Sequence, residues 1–212
     1  MGMRLNGMKL VVASLVVGGL AFLGERLLEP GVGGSLLVTM AIFLGMAEGA
    51  IVLMAGAELS DGHWHKPLLP RVAPLYLIIP ALALLFVVNV PQLSMYPWVG
   101  QTGGWWLDRN FFIARHLVLM ALMFGLCRKF VTEAMRGARS ARTWAVIIIL
   151  TFVAQLSMVG IEWYMSIEQP WFSTLLGAFV VVSAFLSGIC TCALIVLGWP
   201  AIGSMIALGV IV

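Results

Sequence analysis

Apolar runs long enough to cross a ~30 Å hydrocarbon layer recur along this chain, and no other feature narrows its fold as much. The 212 residues are 62% hydrophobic and only 10% charged, with a mean hydropathy of +1.07. A soluble domain of this length needs far more charge on its surface. The expected fold is therefore all-α: one polytopic transmembrane helical bundle over residues 1–212, with little room for a soluble domain.

Six spans are predicted, at about 9–28, 34–57, 72–90, 110–130, 143–163 and 172–198. A further apolar tail, 199–212, opens on Trp199-Pro200 and is too short to span as a straight helix. It reads as an interfacial or re-entrant piece, or the start of another helix. The first span has Arg4 and Lys9 ahead of an apolar core, as a signal peptide would, but no small-x-small cleavage site follows.

Lysine and arginine orient the bundle. With the N-terminus in the cytoplasm, Arg4, Lys9, Lys66, Arg71, Arg128, Lys129, Arg136, Arg139 and Arg142 fall on the cytoplasmic side. Only Arg26 and Arg109 fall on the other, which is a positive-inside bias. Both termini are then expected in the cytoplasm. The net charge of +3 does not point to nucleic acid. Cys127, Cys190 and Cys192 lie in or beside apolar runs as packing residues. Without C-x-x-C-H or paired C-x-x-C, no covalent haem, zinc or iron–sulfur site is expected.

Two loops on the non-cytoplasmic side, 91–110 and 162–174, hold Trp98, Trp105, Trp106, Trp163 and Trp171. Tryptophan favours the headgroup layer, so these loops are expected along the membrane face; docking of a partner subunit is the equal alternative.

Polar groups inside spans are costly and mark functional candidates. Glu48 lies in the middle of the second span between Gly45 and Gly49, a spacing that admits a close neighbouring helix. It needs a partner or is carried as the neutral acid, as a proton relay requires; a neutral acid bonded to a neighbouring backbone is the plainer alternative. Arg115 and His116 open the fourth span. Arg115 is expected to snorkel outward or to pair with Asp108 or Glu162. His116, on another face, suits a quinone carbonyl, a proton, or a simple interfacial hydrogen bond. Gln155 and Glu162 are seven residues apart and share a helix face, so a polar track is expected between them. Asn89 ends the third span at the same surface. His63 and His65 form an H-x-H too sparse for a metal site on its own. Ser166, Gln169 and Pro170 read as a helix start, with Glu168 complementing its dipole.

The segment Trp163, Met165, Ser166, Glu168, then Trp171, Phe172, Ser173 and Thr174, resembles the hallmark stretch of one family. It is the NrfD-like membrane subunit of alternative complex III, quinol:cytochrome c oxidoreductase quinone-binding subunit 2. Tyr96-Pro97-Trp98, Phe111 to Arg115, and residues 48–67 are similar to that family in order and spacing. The sequence departs at Glu168-Gln169-Pro170-Trp171, where the family runs E-P-H-W, and at Glu162, where the family carries aspartate. Family members are about twice as long and pair two bundles, so the resemblance covers their N-terminal portion.

The resemblance implies a multi-pass subunit of the bacterial inner membrane with no covalently bound cofactor. Its partners would be a second NrfD-like protein, iron–sulfur subunits, c-type cytochromes and lipid, in a complex that oxidises quinol. A proton path through Glu48, His116, Gln155 and Glu162 is expected. Quinol or partner contact falls to Arg115, His116, Glu168, Trp163 and Trp171. The second reading is an accessory structural subunit of another membrane enzyme, with no transport or redox role. A small transporter ranks third, since no inverted repeat with broken helices is visible.

Overall fold

The computed structural model describes residues 16, 20, 23, 24, 34–100 and 105–197. The predicted span 9–28 lies outside the described residues apart from those four isolated helical positions, and so does the tail 199–212. All regular structure among the described residues is helical. Five stretches are long and apolar enough to cross a membrane: Leu36–Leu59, Leu69–Met95, Arg109–Met135, Ser140–Ile167 and Leu176–Val196. They coincide with the second to sixth predicted spans.

The elements are α1 (Gly34–Leu59), α2 (Leu69–Val72), α3 (Ile78–Asn89), α4 (Arg109–Met135), α5 (Ser140–Val159) and α6 (Leu176–Leu197). Between α2 and α3 the chain tightens into a 3-10 turn, Ala73–Leu77, and after α3 into another, Val90–Met95. Each turn carries a proline in its first two positions, Pro74 and Pro91, where the missing N–H breaks the α-helical ladder. With α2 at its start and the second turn at its end, the third span runs Leu69–Met95, beyond the expected 72–90 at both ends.

Asp108 caps α4, its carboxylate accepting from the backbone N–H groups of Asn110 and Phe111 at 3.0 Å each. At the far end Gly137 takes φ +65°. Its N–H donates to Ala134 O and the Ala138 N–H to Glu133 O, at 3.0 and 3.1 Å, so α4 stops on a left-handed glycine cap. Helix α5 does not end cleanly. It widens into a π turn, Gly160–Tyr164, and then narrows into a 3-10 turn, Met165–Ile167.

Helix α1 is the centre of the bundle, packing on α3, α5 and α6. Of its most apolar window 67% is buried, against 22% for α6. The α1–α6 contact runs along small residues. A Cβ on Gly45 would lie 2.8 Å from Ala184 Cβ, one on Gly49 2.5 Å from Ala184 O, and one on Gly188 would strike the Gly49–Ala50 peptide. The spacing around Glu48 thus admits α6 at backbone distance.

The loops sort to two ends. Residues 90–100, 105–108 and 160–175 meet at one. At the other, Asp61 pairs with Arg142 and His65 Nε2 lies 2.7 Å from Glu58 Oε2, so one histidine of the H-x-H is tied into its own turn. Of the described lysines and arginines, only Arg109 and Arg115 lie at the tryptophan-rich end.

The predicted helix start at Ser166 is corrected by this arrangement. Helix α6 begins ten residues later, at Leu176. The Ser166 hydroxyl instead donates to Glu162 O at 2.6 Å and accepts from Trp98 Nε1 at 3.1 Å. With its oxygen taken by the loop opposite, Ser166 finishes the previous helix. Glu168 therefore sits at no helix N-terminus.

Candidate functional site

The π turn decides where Glu162 goes. It follows an uninterrupted α5 and places Glu162 3% exposed, facing α4. Three side chains converge on this carboxylate. Arg115 Nη2 lies 2.5 Å from Oε2, Trp106 Nε1 donates to Oε1 at 2.9 Å, and His116 Nε2 lies 3.6 Å from Oε2. Arg115 and His116 are sequence neighbours, yet both reach the same oxygen. Arg115 also donates to Trp106 O at 3.1 Å and stacks over the Trp106 ring at 4.3 Å. Its side chain is 9% exposed, so the ion pair lies out of bulk water, where charges interact strongly. Between the two expected carboxylate partners, Arg115 takes Glu162, while Asp108 serves as the α4 cap.

An aromatic box encloses the site. The Phe86 and Trp163 rings are stacked with centroids 5.4 Å apart and planes 9° from parallel. His116 lies 5.8 Å from Phe86, 5.4 Å from Trp163 and 4.4 Å from Phe112. His116 Nδ1 donates to Phe112 O at 2.9 Å, which turns Nε2 toward Glu162. Tyr96 OH donates to Trp163 O at 3.0 Å and holds the loop down on the π turn. Burial, with Tyr164 and Glu162 nearby, pushes the Tyr96 phenol above its ordinary value, so it stays a donor.

The second site is deeper. Gln155 Nε2 donates to Glu48 Oε1 at 2.8 Å, joining α5 to α1. Glu48 is fully buried and Gln155 is 2% exposed. No ion pair reaches Glu48 among the described residues, so its partner is a neutral amide.

The four residues expected on a polar track thus divide into two pairs: Glu48 with Gln155, and Glu162 with His116. Gln155 lies in α5 and Glu162 in the π turn that continues it, and each bonds to a different neighbour. The five residues expected at a quinol or partner contact divide as well. Arg115, His116 and Trp163 are in the closed Glu162 site. Glu168 and Trp171 line a groove of about 400 Å³ on the α1–α6 side, with Tyr164, Phe179 and Ser183. The lining of this groove is mostly apolar, and none of Arg115, His116 and Trp163 belongs to it.

The loop tryptophans do not all lie at the surface, as either lipid or partner contact would need. Trp105 and Trp171 are 72% and 53% exposed, whereas Trp98 and Trp163 are core residues, at 6% and 0%. Sequence reasoning missed Trp106 as a ligand of Glu162 and Tyr96 as a clamp. Only the density of aromatic residues in the loop hinted at them. No protein-family model matches this chain and no curated protein matches it, so its function is argued from these two carboxyl sites.

Proposed function

We propose that the chain is an integral membrane subunit of a bacterial quinol-oxidising redox complex of the alternative complex III type. Its basic end faces the cytoplasm, as the positive-inside rule directs, and the tryptophan-rich end faces the opposite side. One observation carries the reading. A helical bundle this apolar holds two buried glutamates, each in a site built by other helices, and buried carboxyls in hydrocarbon are costly unless used. Glu48 and Gln155 supply the inner step of a proton path; Glu162, His116 and Arg115 supply the outer one, at the face where iron–sulfur and cytochrome subunits would dock. The groove at Glu168 and Trp171 is the place for a quinol or lipid.

Glu48→Gln tests this. The amide oxygen still accepts from Gln155, but the group no longer releases a proton. The assembled complex should form normally and lose proton-coupled turnover by at least ~10-fold. Unchanged turnover and proton release would remove Glu48 from the path.

The second reading, an accessory structural subunit, is favoured by α6. Phe179, Val182, Leu186 and Leu194 are all well exposed on it. This helix presents a long apolar face to lipid or to a neighbouring subunit, and under that reading substitutions at the glutamates leave turnover intact.

A further inference from the structure

Around the Glu162 site, several buried polar atoms have no partner in the protein. They are Asn89 Nδ2 and Oδ1, Gln92 Oε1, Arg115 Nε, His116 Nε2 and Trp163 Nε1. Such atoms are rare in folded proteins, because each loses hydration without replacement. Of nine such atoms among the described residues, these six lie at one end of the bundle, while Glu48 Oε2, Gln155 Oε1 and His65 Nδ1 lie elsewhere. Asn89 is 1% exposed and lies one turn beyond Phe86 on the same face of α3. Phe86 itself stacks on Trp163 and neighbours His116, so that face of α3 is turned toward the Glu162 site. Gln92 follows in the 3-10 turn, half-buried, where the face opens toward the loop.

The chemistry of the set identifies its ligand. Asn89 Nδ2, Arg115 Nε and Trp163 Nε1 are donors. Asn89 Oδ1 and Gln92 Oε1 are acceptors. His116 Nδ1 donates to Phe112 O, so in the neutral ring Nε2 is an acceptor too. An anion would leave the acceptors unmet, and a cation would leave the donors unmet. Water donates and accepts, and buried water characteristically makes about three bonds to groups of this kind. We propose that Asn89, Gln92, Arg115, His116 and Trp163 hold a cluster of internal water against Glu162, with Asn89 as its anchor. The cluster links the Glu162 carboxylate to the tryptophan-rich face through Gln92. As a proton route it rests on the function proposed above; as a bound-water site it stands on its own geometry.

Radiolytic hydroxyl labelling of the purified full chain, read by mass spectrometry, tests it, because radicals born from bound water modify side chains that bulk solvent never reaches. Trp163 and Phe86 are 0% and 1% exposed, and Phe130 and Phe152, at 0% and 2%, are matched controls. With rates normalised for the higher intrinsic reactivity of indole, Trp163 and Phe86 should label several-fold faster than Phe130 and Phe152, and Asn89→Leu should abolish most of that excess. Equal labelling of all four rings would overturn the site, and an excess that survives Asn89→Leu would overturn the role of Asn89. Where Asn89→Leu does not fold, the wild-type comparison decides alone. The measurement needs no partner subunit and no turnover, so it fails independently of the redox reading.

Discussion

Glu162 and Glu48 are kept in the same apolar bundle by opposite means. Glu162 has a guanidinium, an indole and an imidazole around it; Glu48 has one amide. Removing one member of a buried ion pair strands the other charge, at a cost of about 3–5 kcal/mol, whereas replacing both with apolar groups is often close to neutral. Arg115→Leu is therefore expected to lower thermal stability in detergent strongly. Arg115→Leu combined with Glu162→Leu should recover much of that loss. A double variant no more stable than the single one would mean that Arg115 acts through its stack on Trp106 and not through Glu162. The identity of the polar candidates was legible at this scale. Glu48, Arg115, His116, Gln155 and Glu162 stand out because they are polar among apolar neighbours. Their partners did not stand out, because Trp106 and Tyr96 reach the site from a loop whose course no local spacing encodes.

Among the elements, α1 and α6 make the tightest contact, through Gly45, Gly49, Ala184 and Gly188. In hydrocarbon there is little hydrophobic drive between helices, so close backbone approach does the work of association. Gly188→Leu puts a branched side chain into the Gly49–Ala50 peptide and should destabilise by ~3 kcal/mol or more. Gly125→Ala is the contrasting case. Gly125 sits inside α4 with nothing near its missing Cβ, so alanine should be neutral or stabilising by up to ~1 kcal/mol. Thermal melts of the two variants in one detergent check both signs. The π turn at Gly160–Tyr164 belongs to this scale as well. Gly160 packs at 3.1 Å, measured from an added Cβ, against Gly177 Cα of α6. A turn of this kind inside an α-helix commonly marks a functional position, and here it aims Glu162 at α4.

For the whole molecule, lysine and arginine gather at one end and most tryptophans at the other among the described residues, and α6 leaves an apolar face uncovered by them. Under the redox reading proposed above, mild-detergent purification through a tag on this chain should bring iron–sulfur and cytochrome c subunits with it. A different enzyme in the eluate would favour the accessory reading, and a lone homo-oligomer would sink both. The sequence by itself determined the all-helical character, the presence of helices long and apolar enough to span a membrane, the positions of the five described ones within a few residues and the sorting of lysine and arginine. Length, apolarity and proline placement are local properties, and a backbone in hydrocarbon has little choice but a helix. Only the tertiary structure decided which polar groups meet. The helices are apolar around most of their circumference, so no amphipathic stripe announces which face turns inward. The π turn then re-aims the one face that spacing seemed to fix, and the polar track expected from Gln155 to Glu162 becomes two separate sites on two different neighbours.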